Sequence, residues 1–331
     1  MGTFILTGAS YEYILWVAVG GKYTNYSSDK GGTWTSYSNN GIQGASTSLT
    51  FGKDGSGDDL WMRSSAPTNS NSVPVLWKTS DPTDQNGWSE VTSHPDKTGS
   101  GSDKIWDVKY GNEVWVTIGR LGIKRSTDSG VTWQSTTGFS GMHTAWNMSV
   151  ASDGSGTWVA VANSGNTYHI FKSTDDAQTW STSDTHTSPS HQIDSSYEKE
   201  VKFANGIWMY ITPNGGRRCT AANLSSDSWA DITTPPLWVS DFKHSSGNTW
   251  VSVGSRNGRN YISTDNGDTW SANSSIAGTG NLPGIAYAGG MWIATSGDKI
   301  FKSSDDGTTW AMAVGSVVAG HIAINSVLPN S

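Results

Sequence analysis

Residues 27–34 read SSDKGGTW, and the fold follows from how often that stretch returns. It comes back as STDSGVTW at 126–133, STDDAQTW at 173–180, STDNGDTW at 263–270 and SSDDGTTW at 303–310. Two weaker copies fill the gaps: TSDPTDQNGW at 79–88, with two extra residues, and a shortened SSDSW at 225–229. Seven copies in 331 residues mark a repeat architecture, in which each unit buries its apolar face only against its neighbours.

Two further series run in step with the first. Trp16, Trp61, Trp115, Trp158, Trp208, Trp250 and Trp292 each sit in a short apolar stretch such as VWVTIG or TWVAVA. A polar–apolar–any–apolar segment precedes six of them: SLTF at 48–51, DVKY at 107–110, NMSV at 147–150, EVKF at 200–203, DFKH at 241–244 and GIAY at 284–287. The seventh, HIAI at 321–324, lies near the C-terminus with no further unit after it. A period of about 40–50 residues with several strands per unit is the mark of a β-propeller blade.

Each blade then reads as strand a (DVKY), strand b (VWVTIG), strand c (ending KRST) and strand d (beginning TWQS). The expected fold is all-β, a single seven-bladed β-propeller of four-stranded blades over residues 1–331. Its ring is closed by the C-terminal strand joining the N-terminal blade, which removes the exposed sheet edges. The expected bounds are 1–37 plus 320–326 for blade 1, then 47–91, 105–136, 145–182, 198–232, 239–272 and 282–313. TFILT at 3–7 competes for the closing place or adds an outer strand.

Composition agrees with short strands and polar turns. Charged residues make up 15% of the chain and there are 18 Trp and 39 Gly, with no long helical pattern of Ala, Leu, Glu and Lys. A net charge of −7 argues against nucleic acid as a partner. Cys219 stands alone, so neither an intramolecular disulfide nor a cysteine zinc site is expected, and no cofactor or metal is. The start, MGTFILTGAS, has no signal-peptide pattern, and no apolar run approaches the roughly 20 residues of a membrane helix, so no membrane insertion is expected. The Ser/Thr/Asn/Gly-rich, nearly Cys-free style resembles phage structural proteins and favours a virion or extracellular setting.

The pattern Ser-x-Asp-x-Gly-x-Thr-Trp resembles the Asp-box, or BNR repeat. That motif occurs in sialidases, the sortilin family, xyloglucanase-type glycoside hydrolases and photosystem II assembly factors of the HCF136/Ycf48 type. Four copies here match in full, and a fifth has Ala177 in place of Gly. The resemblance covers all seven blades and implies the propeller. It spans enzymes, receptors and assembly factors, so it implies no single activity.

Residue chemistry gives the boxes a structural role. Asp29, Asp81, Asp128, Asp175, Asp227, Asp265 and Asp305 read as turn formers. The carboxylate and the Ser hydroxyl accept hydrogen bonds from nearby backbone amides. Gly supplies a positive φ, and Trp starts strand d with a large apolar body. One carboxylate per loop does not fill the 6–8 oxygen shell of calcium.

The enzyme readings fare poorly on the residues. A sialidase likeness implies three converging Arg, a Tyr–Glu pair, an acid/base Asp and an Arg-Ile-Pro motif. This chain has no Arg before Arg63 and no Arg-Ile-Pro. Xyloglucanase-type enzymes place their catalytic Asp residues between two propellers, and only one fits here. For a glycosidase the best carboxylate pair is Glu200 and Asp241, at matching positions of neighbouring blades. Each is followed at +2 by Lys, as is Asp107, and +2 lies on the same strand face. These three acid–apolar–Lys units read as paired charges between blades. No phosphate loop, His-Glu-x-x-His or Gly-x-Ser-x-Gly is present, and the seven His are scattered, reading as polar loop residues.

Binding is therefore the expected role, on the face away from the boxes. There the d–a and b–c loops are long: SYSNNGIQGAST, TSHPDKTGSGSDK, TSDTHTSPSHQIDSSYEK and RSSAPTNSNSVPV. Arg63, Arg120, Arg217, Arg218, Arg256 and Arg259 fall at or beside b–c loops and suit carboxylate, sulfate or phosphate, whereas Arg125 lies in strand c. Trp106 and Trp146 are read as occupying one position before strand a of adjacent blades, with Trp238 near it in blade 6. Exposed, such rings stack on sugars; buried, they only pack. The leading expectation is a non-catalytic binding propeller for carbohydrate or another cell-surface component, lectin- or adhesin-like. The alternatives are a protein-binding scaffold resembling the HCF136/Ycf48 group and a glycoside hydrolase.

Overall fold

A computed structural model describes residues 14–39, 41–42, 46–65, 75–94, 105–140, 146–164, 167–187, 200–212, 215–220, 224–225, 228–236, 238–254, 258–273, 276, 282–297, 299–313 and 323–327. These form seven four-stranded antiparallel sheets arranged in a ring, a seven-bladed β-propeller. No helix among the described residues is long and apolar enough to cross a membrane.

The ring closes through the C-terminal strand. Strand a of blade 1, Ala323–Val327, pairs with strand b, Leu15–Gly20, in the register Leu15↔Val327 to Val19↔Ala323. TFILT at 3–7 lies outside the described residues. Strand d of blade 4 (Ser181–Thr187) runs to Thr187, past the 182 expected from the sequence.

The strand-b tryptophans hold the blades together. All seven are at most 1% exposed. At about 150–250 Å² of buried ring and roughly 25 cal/mol per Å², each contributes on the order of 4–6 kcal/mol of gross transfer energy. They pack across blade boundaries. Trp115 of blade 3 sits with Leu60 and Met62 of blade 2, and Trp250 of blade 6 with Met209 of blade 5.

The boxes close on themselves as their chemistry implies. In blade 1, Ser27 Oγ donates to Asp29 Oδ1 at 2.7 Å and accepts from Gly31 N at 3.0 Å. Thr33 donates its amide to Asp29 Oδ1 at 2.8 Å and its hydroxyl to Oδ2 at 2.6 Å. The same set recurs at Asp128, Asp175, Asp265 and Asp305. Partial burial opposes ionisation of Asp29, but the bonds from Thr33 and Ser27 outweigh it and hold its pKa at about 2.

Gly31 has φ +74°, and Ala177 takes the equivalent conformation at φ 61°. A Cβ on Gly31 would stand 2.4 Å from Ile293 Cδ1 of the preceding blade, so this glycine also admits the neighbour. Two copies depart. Asp81 caps only Thr83, at 2.8 Å from its amide, and Asp227 lies outside the described residues.

The register corrects two of the sequence segments. Opposite each strand-b Trp stands the fourth residue of strand a: Phe51, Tyr110, Phe203, His244 and Tyr287. In blades 4 and 1 that place belongs to Ser152 and Ser326. The repeat unit there is SVAS at 149–152 and AINS at 323–326, two residues later than NMSV and HIAI. The expected apolar residue is a serine in both, which is why the pattern slid.

Candidate functional site

That register fixes which side chains meet at the centre. The first position of strand a is Ser48, Asp107, Ser149, Glu200, Asp241, Gly284 and Ala323 from blade 2 round to blade 1. The third is Thr50, Lys109, Ala151, Lys202, Lys243, Ala286 and Asn325. The alternation of a strand puts both on one face, directed to the next blade.

From blade 2 to blade 5, and again from blade 6 to blade 7, first-position groups tie each blade to the next. Asp107 accepts from Ser48 Oγ at 2.6 Å, from Ser149 Oγ at 3.0 Å and from Val150 N at 3.2 Å. Ser149 Oγ accepts from Val201 N at 3.2 Å, and Asp241 Oδ2 from Ile285 N at 2.8 Å. The second-position amide of an extended strand a faces the preceding blade, and a short acceptor at that blade's first position satisfies it.

The lysines complete the layer. Lys109 pairs with Asp107 at 2.6 Å. Lys202 pairs with Glu200 and, at 2.7 Å, with Asp241 of the next blade. Burial works against the Lys109 charge, but Asp107 and Glu200 together more than offset it and raise its pKa. For Lys202, Asp241 and Glu200 likewise overcome burial.

The two acids diverge. Burial opposes ionisation of Glu200, yet Lys202 and Lys109 hold it at about 2. Burial and the adjacent Glu200 push Asp241 up to about 7. Lys243 is left over: among the described residues it has no ion-pair partner. Burial, with Lys202 nearby, pulls it down to about 8.

A cavity of about 250 Å³ opens on this layer, lined by Lys109, Lys202, Lys243, Tyr110, Phe203 and His244 together with Ala151 and Ser152 of blade 4. Its walls are the ends of the inner strands near the a–b turns. Those turns share a face with the boxes: Asn112 Nδ2 donates to Asp176 Oδ1 at 2.8 Å, and Gly55 N to Ser129 Oγ at 2.8 Å. The cavity is therefore the box-side end of the central channel. The acids lie a layer deeper, so ammonium groups are what an entering ligand meets.

The arginines expected to bind ligands are largely occupied. Arg63 is fully buried in strand b (Asp59–Ser65), where it donates to Gly21 O and Ser46 Oγ and, at 3.4 Å, to Tyr23 O. Burial lowers its pKa to about 9, so it stays cationic while fastening blade 2 to blade 1. The expectation of a surface ligand group at Arg63 is corrected accordingly.

Arg217 and Arg218 belong to strand c (Gly215–Thr220) rather than to a loop. Arg217 pairs with Asp184 of blade 4 and with Asp231 at 3.0 Å. Arg218 pairs with Asp268 in the blade 6 box at 3.0 Å. Arg120 is half-buried at the b–c turn of blade 3, and Arg256 lies outside the described residues. His94 is a further departure, since it is buried, bonded to Thr117 Oγ1 at 2.9 Å and pushed down to about 3 by burial.

The tryptophans do not share one position. Trp106 stands immediately before Asp107, at a bulge, and is half-buried against the blade 3–4 core. Trp146 stands three residues before Ser149, and its side chain is outside the described set. Trp238 stands three before Asp241, so its match is Trp146, two blades away. Trp238 has φ 60°, is half-buried, and its carbonyl and that of the exposed Arg259 flank Gly254. The main chains of these two expected loop-face residues meet at Gly254.

Sequence reasoning missed Lys243 as a channel group. The signal was present in the three Lys at one strand position, but it was read as three closed pairs. Lys202 takes two acids, and among the described residues that leaves Lys243 without a direct ion pair.

Fold and site together define a seven-bladed β-propeller with a cationic, box-side channel mouth. By comparison the chain is similar to a solved structure described as "YCF48 bound to D1 peptide", at 20% identity and TM-score 0.55, covering 89% of each chain. It is also similar to YCF48 from Cyanidioschyzon merolae, at 16% identity and TM-score 0.59, covering 88% of this chain and 95% of that one. At these identities the likeness is one of fold. No family model matches the chain, and no curated protein does.

Proposed function

We propose that this propeller is a non-catalytic binding module whose ligand is a segment of another protein. The observation that carries the reading is the channel mouth, a 250 Å³ cavity with ammonium groups on its walls. Drug-sized or oligosaccharide ligands fill roughly 300–1,000 Å³, whereas this space suits one or two side chains of an inserted segment. A structure of the same fold is described as holding a peptide, which is compatible with that use. Glu200 and Asp241 do not act as a glycosidase pair in this reading, because both are spent on Lys202 and Asp241 also holds Ile285 N.

The test is a peptide array and a glycan array probed with the same labelled protein. Peptide binding with a blank glycan array supports the reading; the reverse overturns it. A second reading, carbohydrate recognition, draws on the half-buried Trp238 and the exposed Arg259 of blade 6, whose main chains meet at Gly254 on the opposite face. Glycan binding lost on Trp238→Ala and Arg259→Ala is its expected result.

A further inference from the structure

We infer that the box-side channel mouth is a carboxylate-binding site, anchored by Lys243 and fitted to an acidic side chain or chain end of the partner segment. The inference rests on the protein-binding reading and names the ligand class at that site. Three cations from blades 3, 5 and 6 line the cavity, while their counter-ions sit on the first-position layer behind them.

Lys109 pairs directly with Asp107, and Lys202 with both Glu200 and Asp241, so the donors of these two cations are committed. Lys243 is half-buried and makes no direct ion pair among the described residues, so its ammonium has donors to offer an entering anion, with Glu200 and Asp241 as its more distant counter-charges. A visiting carboxylate supplies the missing partner in a largely dehydrated place, where a charge-assisted hydrogen bond is stronger than in water. Tyr110, Phe203 and His244 give the mouth an aromatic rim that packs against the aliphatic part of the same segment.

The groups facing Lys243 are Lys109, Glu200, Lys202 and Asp241. Asp241 gains charge near pH 7 and Lys243 loses it near pH 8, so both changes weaken anion binding as pH rises from 6 to 9.

The experiment titrates the intact chain with tetraglutamate, tetraglutamine, tetralysine and inorganic phosphate, and follows acetylation of Lys243 at pH 8 by mass spectrometry. Tetraglutamate is expected to bind and to protect Lys243, with affinity falling between pH 6 and 9, while tetraglutamine and tetralysine do neither. Lys243→Met is expected to weaken tetraglutamate binding about tenfold, the scale of one charge-assisted hydrogen bond. Lys243→Arg is expected to retain binding, which shows that the fold survives change at this position. Equal binding by Lys243→Met, or by tetraglutamine, overturns the site. Protection by phosphate but by no peptide overturns the carboxylate assignment. Array peptides that bind with no preference for acidic residues and are insensitive to Lys243→Met sink this inference while leaving the protein-binding reading intact.

Discussion

Replacing Lys202 by Met tests the central layer directly. Lys202 joins Glu200 of its own blade to Asp241 of the next, and the three side chains are 16%, 20% and 9% exposed. An exposed ion pair contributes about 0–1 kcal/mol, whereas removing one partner of a buried pair costs about 3–5 kcal/mol. Burial here puts Lys202 in the second class. Unfolding entropy of about 2.1 cal/mol/K per residue over 331 residues converts that loss to a Tm lowered by about 4–7 °C.

The loss is also pH-dependent. Without the ammonium, Glu200 and Asp241 must share a proton, so the raised folded pKa of Asp241 moves higher still. A raised folded pKa contributes stability below the unfolded value, here 3.8, and loses it as pH rises through the folded value. The deficit of Lys202→Met is therefore largest near pH 8 and shrinks toward pH 5. Calorimetry of wild type and variant at both pH values reads it. A deficit under 1 kcal/mol, or one equal at pH 5 and pH 8, refutes the buried-tie account and makes Lys202 an ordinary surface charge.

Three other outcomes follow from the geometry. Gly31→Ala places a Cβ at φ +74° and 2.4 Å from Ile293 Cδ1, so left-handed strain and overpacking together cost about 2–4 kcal/mol in denaturant unfolding. Arg63→Met removes the donors to the half-buried Gly21 carbonyl and the buried Ser46 hydroxyl and lowers stability by about 1–3 kcal/mol, with no change in tetraglutamate affinity. In carboxyl NMR, Asp29 titrates near 2, and Ser27→Ala with Thr33→Val moves its midpoint up toward 3.8. The sign is that of a depressed carboxyl: the bonds stabilise the fold above pH 3.8 and are lost as pH falls through 2.

The architecture was legible because its determinants are periodic. The box needs Ser, Asp, Gly, Thr and Trp at fixed offsets for local hydrogen bonding, and the strand-b Trp needs one place between blades, so both recur in the chain. The phase of strand a was less legible in blades 4 and 1, where Ser152 and Ser326 replace the aromatic that faces the Trp elsewhere. That slip made Trp106 and Trp146 look equivalent. The fate of the arginines was not legible at all. Whether Arg63 or Arg217 faces solvent or a neighbour depends on carbonyls and carboxylates tens of residues away, such as Gly21 and Asp184.

The same contrast bears on where a ligand is recognised. Five closely similar boxes repeat nearly the same surface round the ring, and a repeated surface selects no orientation in what it binds. The third position of strand a breaks the symmetry. Blades 3, 5 and 6 place Lys there, and blades 1, 2, 4 and 7 place Asn325, Thr50, Ala151 and Ala286. One side of the channel mouth is thus cationic and the other uncharged, and an acidic segment entering it is drawn to the side held by Lys243. Moving the charge across the ring separates this from a general effect of net charge. Lys243→Ala combined with Ala151→Lys keeps the formal charge and moves the cation two blades, to another residue that lines the cavity. If position matters, tetraglutamate affinity falls as it does for Lys243→Met; if only the overall field of the acidic chain matters, affinity stays at the wild-type value and the argument from asymmetry fails.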